Sequence, residues 1–135
     1  LQVIDATGTG LDSVGVTGIL VTDGTATISN TRVEDTDVYG IQVMGGSITN
    51  STVTRSGFRG IVVSGDAAMT ISGCEISDNV DRGIIGQSWG DNLVDVSGNN
   101  ITGNGGYGVQ YAQLVDGNYV SDNYTFVGAD LGEGG

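Results

Sequence analysis

The sequence predicts an all-β solenoid, a single segment over 1–135 in which about five to six coils of three short strands each stack in parallel. Three observations predict it. A Gly-apolar-x-apolar block recurs along the chain, a second block with two apolar residues five apart recurs between its copies, and the step from the second block to the first has constant length. Self-similarity at a period of roughly 20–50 residues marks an architecture of stacked units, none of which can bury its apolar face alone.

The first block reads Gly18-Ile19-Leu20-Val21, Gly40-Ile41-Gln42-Val43 and Gly60-Ile61-Val62-Val63, then more weakly Gly83-Ile84-Ile85-Gly86 and Gly108-Val109-Gln110-Tyr111. The second carries Ile28/Val33, Ile48/Val53, Ile71/Ile76, Val96/Ile101 and Val115/Val120. Ile28 to Gly40, Ile48 to Gly60, Ile71 to Gly83 and Val96 to Gly108 are each twelve residues. The return step varies over ten, eight, eleven, thirteen and seven. One arc is therefore of fixed length and one turn absorbs the insertions. Within the blocks apolar residues alternate, as on strands, and show no 3.6-residue helical period.

Small polar residues follow at fixed offsets. Thr31, Ser51, Cys74, Asn99 and Asn118 form one set; Thr36, Ser56, Asn79, Asn104 and Asn123 form the other. Stacked coils align each set in a column at roughly 4.8 Å per step. An Asn side-chain amide there can bond turn backbone and its neighbour in the next coil. Cys74 stands where the other coils place Asn, Ser or Thr, as a buried structural thiol would. As the one cysteine it cannot form an internal disulfide.

Through Ile71-Ser-Gly-Cys-Glu-Ile-Ser-Asp-Asn79 and Val96-Ser-Gly-Asn-Asn-Ile-Thr-Gly-Asn104, the chain resembles the right-handed parallel β-helix proteins of the pectin-lyase-like superfamily over roughly residues 15–125. The resemblance implies a single-stranded right-handed β-helix. It says little about activity, because that superfamily holds lyases, hydrolases, epimerases, tailspikes, adhesins and non-catalytic modules. Residues 1–14 read as an imperfect leading coil, with Ala6 and Leu11 in the paired apolar positions, 15–125 as the regular coils and 126–135 as a truncated last coil. A start at Leu1 without initiator Met or signal peptide, and ends without an evident cap, are expected of a piece of a longer protein, or of coils that stack on identical coils.

The chain carries 25 Gly and no Pro, as a turn-rich structure with every amide free for pairing requires. Its formal charge is −12, from sixteen acids and four arginines with neither Lys nor His. Such a charge disfavours nucleic acid and anionic membranes as partners. An Asp-rich, Lys-free surface suits a salt-rich, halophilic setting. No apolar run reaches the ~20 residues that cross a bilayer.

The outward column before the repeat glycines reads Thr17, Tyr39, Arg59, Arg82, Tyr107, with Gln42, Gln110 and the Gln87-Ser-Trp-Gly90 insertion nearby. Aromatic rings stack on sugar faces and planar polar groups bond hydroxyls, so Tyr39, Arg59, Arg82, Tyr107, Gln42, Gln110 and Trp89 are the candidate glycan contacts. Arg59 and Arg82 are the candidate bases should the chain be catalytic. Asp35, Asp37, Asp78 and Asp81 gather at one turn and are the candidate ligands for Ca²⁺, set against a solvated acidic surface. Arg55, between Asp35 and Asp78 in its column, reads as an ion-pair ladder. Thr27/Ser29, Ser47/Thr49, Thr70/Ser72 and Asp95/Ser97 form an outward hydroxyl ladder, ordinary for an exposed strand face.

The leading expectation is a structural or carbohydrate-recognition module of a secreted or cell-surface protein, such as a surface glycoprotein, fibre or adhesin. A polysaccharide lyase or C5-epimerase fragment is the alternative that the resemblance adds; the Tyr-Pro-His-Asp and Gly-His-Gly signatures of related enzymes are absent. A self-assembling filament subunit is the third reading.

Overall fold

The computed structural model describes residues 2–4, 17–86 and 94–127, of which 2–4 and 125–127 are described by their backbone alone. Strand β1 spans Gln2–Ile4 and β2 spans Ile19–Leu20. Three strands then make each coil: β3 (Ala26–Ser29), β4 (Arg32–Glu34) and β5 (Ile41–Val43); β6 (Gly46–Thr49), β7 (Thr52–Thr54) and β8 (Ile61–Val63); β9 (Met69–Ser72), β10 (Glu75–Ser77) and β11 (Ile84–Ile85). They continue as β12 (Val94–Ser97), β13 (Asn100–Thr102) and β14 (Tyr107–Gln110), then β15 (Gln113–Leu114), β16 (Tyr119–Ser121) and β17 (Thr125–Val127). Each strand pairs in parallel with its counterpart one coil away, giving a six-stranded first sheet, a five-stranded second sheet and a six-stranded third sheet. The five-stranded sheet takes one strand from each of five coils, so the stack makes about four turns from its first to its last, against five to six coils expected.

Alternation sorts the side chains. Ile28, Ile48, Ile71, Val96 and Leu114 stand in register and point inward from the first sheet. Val33, Val53, Ile76 and Ile101 do so from the second, and Ile41, Ile61, Ile84 and Val109 from the third. Each such burial contributes about 1.5–3 kcal/mol before ordering costs. β-Branched residues dominate because they fit a pleated, fully covered strand. Outward, Thr27/Ser29, Ser47/Thr49, Thr70/Ser72 and Asp95/Ser97 align as a ladder.

Two sequence expectations shift. Val96 pairs with Leu114, so Leu114 and not Val115 fills the core column, and Val115 is exposed. The following turn holds an extra residue, Asp116-Gly117, with Gly117 at φ 87°, and this lengthens the apolar spacing from five to six. At the other end Val3 stands opposite Ile28, the position expected of Ala6; Ala6 and Leu11 lie outside the described residues.

The two corners of the fixed arc repeat one device. A residue in the left-handed region turns the chain, and the next residue points inward as a ladder member. The turning residues are Asn30, Asn50, Gly73 and Gly98 between the first and second sheets, and Asp35, Arg55, Asp78, Gly103 and Asp122 between the second and third. In the second ladder Asn104 Nδ2 donates to Asn123 Oδ1 at 2.7 Å and to Ile76 O at 3.2 Å. Asn79 Nδ2 in turn donates to Asn104 Oδ1 at 2.8 Å. Asn79 Oδ1 accepts the Ser56 amide at 3.0 Å, and there the Asn run ends. The Ser56 and Thr36 hydroxyls beyond it are buried, and among the described residues neither has a partner. The first ladder runs Asn118, Asn99, Cys74, with Cys74 N donating to Asn99 Oδ1 at 2.9 Å.

Cys74 fills its ladder place as a thiol. It is 3% exposed, and Sγ donates to Ser72 O at 3.3 Å and Ile48 O at 3.6 Å. Burial pushes its pKa up, with backbone hydrogen bonds at Ser51 and Ser72 a smaller opposing influence. The thiolate is the reactive species. Alkylation of the native chain at mildly alkaline pH is therefore expected to run at least about a hundredfold slower than in denaturant, since it waits on local opening. Comparable rates in the two conditions, read by mass spectrometry, would show the coil to be loosely packed.

Candidate functional site

The corner between the second and third sheets carries the most concentrated chemistry. Its outward column is held in register by the backbone: the amides of Gly18, Gly40, Gly60 and Gly83 donate to the carbonyls of Tyr39, Arg59, Arg82 and Tyr107 at 2.9–3.0 Å. Thr17, Tyr39, Arg59, Arg82 and Tyr107 thus stand one per coil. Close approach of successive coils is what demands glycine behind them. A Cβ on Gly60 would lie 2.6 Å from Gly83 O and 2.8 Å from Asn79 Nδ2.

Along this column rings and guanidinium groups interleave. Tyr39 and Phe58 stack with centroids 5.9 Å apart. The Arg59 guanidinium lies 4.5 Å from the Phe58 centroid and 5.8 Å from that of Tyr39, and Arg82 lies 5.5 Å from the Tyr107 centroid. Asp81 is the pivot. Its Oδ2 accepts from Arg59 Nε at 3.2 Å and from Arg82 Nη1. Arg82 Nε donates to Gln110 Oε1. All three charged side chains are about three-quarters buried, so cation–π and charge-assisted contacts here outweigh those of exposed pairs.

At the C-terminal end of the column the rings part. Asp81, Arg82, Gly105, Gly106, Tyr107 and Tyr124 line a cleft of about 280 Å³. The paired glycines add no side chains to its lining, and Tyr124 is 86% exposed.

The structure brings together Tyr39, Arg59, Arg82, Tyr107 and Gln110 of the sequence candidates. Gln110 is buried and serves as the acceptor that orients Arg82. Gln42 lies on the same strand column as Gln110, three coils away with Val62 and Ile85 between them, and its Nε2 donates to Ser64 Oγ at 3.5 Å. Trp89 lies outside the described residues. Phe58, Gly105, Gly106 and Tyr124 were not among the candidates. The constant arc was the available signal: it sets Gly105-Gly106 one coil beyond Val80-Asp81, leaving a gap beside the column.

Of the Ca²⁺ candidates, Asp81 holds the two arginines and Asp35 holds Arg55, through Arg55 Nε to Oδ1 at 2.6 Å and Nη2 to Oδ2 at 2.9 Å. This bonding holds the Asp35 carboxyl below its usual range and raises the exposed Arg55. Glu34 accepts from Arg55 as well, at 3.2 Å. Asp78 Oδ1 lies beside Gly103 one coil on. Among the described residues no group of three or more Asp, Glu, Cys or His side chains stands together as a metal site would require.

The fold and this column define the class: a parallel β-solenoid with inward Asn ladders and an aromatic–arginine face. The family model described as right handed beta helix region matches residues 17–132, and the chain belongs to that family. Comparison with curated proteins and with solved structures gives no match.

Proposed function

We propose that the chain is a non-catalytic glycan-recognition module of a secreted or cell-surface protein. The observation that carries this reading is the aromatic–guanidinium column running along one corner and opening into a cleft. Such a surface offers ring faces to sugars and fixed donors and acceptors to their hydroxyls. A stiff solenoid repeats it at the coil pitch of roughly 4.8 Å. The state of the arginines favours recognition over turnover. A guanidinium offers donors and no acceptor, and both Arg59 and Arg82 are already committed to Asp81, an arrangement that suits holding a ligand better than taking its proton.

A panel of neutral and acidic polysaccharides, with and without Ca²⁺, tests the reading when binding and ultraviolet absorbance are recorded together. Unsaturated products are what a lyase would release. Binding without turnover, weakened about tenfold in Tyr107→Ala, is the expected result. Rising absorbance that disappears in Arg82→Ala would make the chain a lyase instead.

A further inference from the structure

We infer that the cleft beside Tyr124 takes a neutral, hydroxyl-rich saccharide and rejects uronates; this rests on the glycan-recognition reading above. The lining carries one acid, Asp81, and one base, Arg82, so its formal charges cancel, within a chain of net charge −12. An anionic ligand drawn to Arg82 meets the Asp81 carboxylate directly bonded to it. Attraction and repulsion then oppose each other at similar distances, and the field of the remaining chain favours exclusion.

What the cleft does offer is matched to hydroxyl groups. Asp81 Oδ2 is used by both arginines, whereas Oδ1 accepts no hydrogen bond among the described residues. Oδ1 lies beside Gly106 of the lining, 2.5 Å from where a Cβ on that residue would stand. It is an acceptor with no counter-donor, suited to a sugar O–H and repelled by a carboxylate. Arg82 has used Nε and Nη1, leaving Nη2 to donate to a sugar oxygen. Arg82 covers a face of Tyr107, so the uncovered ring is Tyr124, whose exposure leaves it open for stacking on a pyranose face. A volume of about 280 Å³ is at the low end for a ligand pocket, as suits one or two sugar units of a longer chain.

The test titrates the whole chain, by calorimetry, with neutral oligosaccharides from glucans, mannans and galactans, and with oligogalacturonate and oligoguluronate, at low and high salt. A neutral member is expected to bind with little salt dependence, to weaken about tenfold in Tyr124→Ala, and to be lost in Gly106→Ala, which displaces the Asp81 carboxylate. Tyr124 is too exposed for its loss to disturb folding, and the circular dichroism spectrum of the variant is expected to match that of the parent. Asp81→Asn supplies a readout that a merely structural role would not give: it removes the repelling charge and should raise oligogalacturonate affinity by about tenfold, in a salt-sensitive manner. Tighter binding of uronates than of neutral sugars by the unaltered chain, weakening with salt, would overturn the inference and leave glycan recognition standing. Binding of neither class would remove both.

Discussion

Replacing Asn104 by Ala is expected to destabilise the chain by about 3 kcal/mol, the sum of several lost bonds and one stranded donor. Asn104 is 2% exposed and links three coils. Its Oδ1 accepts the backbone amide of Asn79 at 3.1 Å and the side-chain amide of Asn79 at 2.8 Å, while its Nδ2 donates toward Ile76 and Asn123. Alanine leaves the Asn79 backbone amide buried with nothing to accept it, the expensive way of breaking a hydrogen bond. Hydrogen exchange should show the effect locally, with the Asn79 amide losing protection before the amides of β6 and β7. Asn100→Ala, four residues earlier on the outward side of β13, is the control and should change stability by no more than about 0.5 kcal/mol. Equal effects from the two substitutions would mean that the ladder adds nothing beyond the packing around it.

Gly60→Ala is expected to be at least as damaging, about 3 kcal/mol and a fall in melting temperature on the order of 10 °C. Its reason is steric, not conformational. The added methyl would meet the carbonyl oxygen of Gly83 at 2.6 Å, and that oxygen accepts the Ile61 amide at 2.8 Å. Relief requires either opening the coil spacing or displacing Asn79, whose Nδ2 would lie at 2.8 Å. Gly24→Ala is the informative contrast. Nothing lies within 4 Å of its added Cβ, so its cost comes from a φ of 74° alone, about 1 kcal/mol. Thermal melting of both variants checks the ordering; a Gly60→Ala chain that melts with the parent would show the stack to be more compliant than its spacing suggests.

The repeat made most of this fold legible before any coordinates. Inward residues declared themselves because a solenoid core leaves little choice: Ile28, Ile48 and Ile71 each face the same neighbours, and so are the same residue. The ladders were legible for a similar reason, since Asn104 and Asn123 must each satisfy the coil before. Leu114 was missed where the sequence stopped obeying the period. Leu114 and Val115 are both apolar, and only the extra residue at Asp116-Gly117 decides which one turns in. The aromatic–arginine face was half legible. Tyr39, Arg59, Arg82 and Tyr107 follow from counting to the repeat glycine, but the role of Asp81 does not. Whether a surface carboxylate holds an ion or a guanidinium depends on side-chain reach between coils, and periodicity carries no information about that. Phe58 and Tyr124 sit one position off the counted column, so a rule built on a single column passes over them.

Among the described residues, the corner between the third and first sheets differs from the other two in having no Asn ladder. Two residues join β5 to β6, five join β8 to β9, and two join β14 to β15, without disturbing the register on either side. Because the cost of closing a loop grows only by about 0.6 kcal/mol for each doubling of its length, this edge is nearly indifferent to what is inserted there. The molecule therefore separates two evolutionary freedoms. Two corners hold the pitch and vary by no more than the one residue added at Asp116-Gly117, while the third can be rewritten coil by coil, so that new side chains can be mounted at fixed intervals along one edge of a rod whose cross-section stays the same.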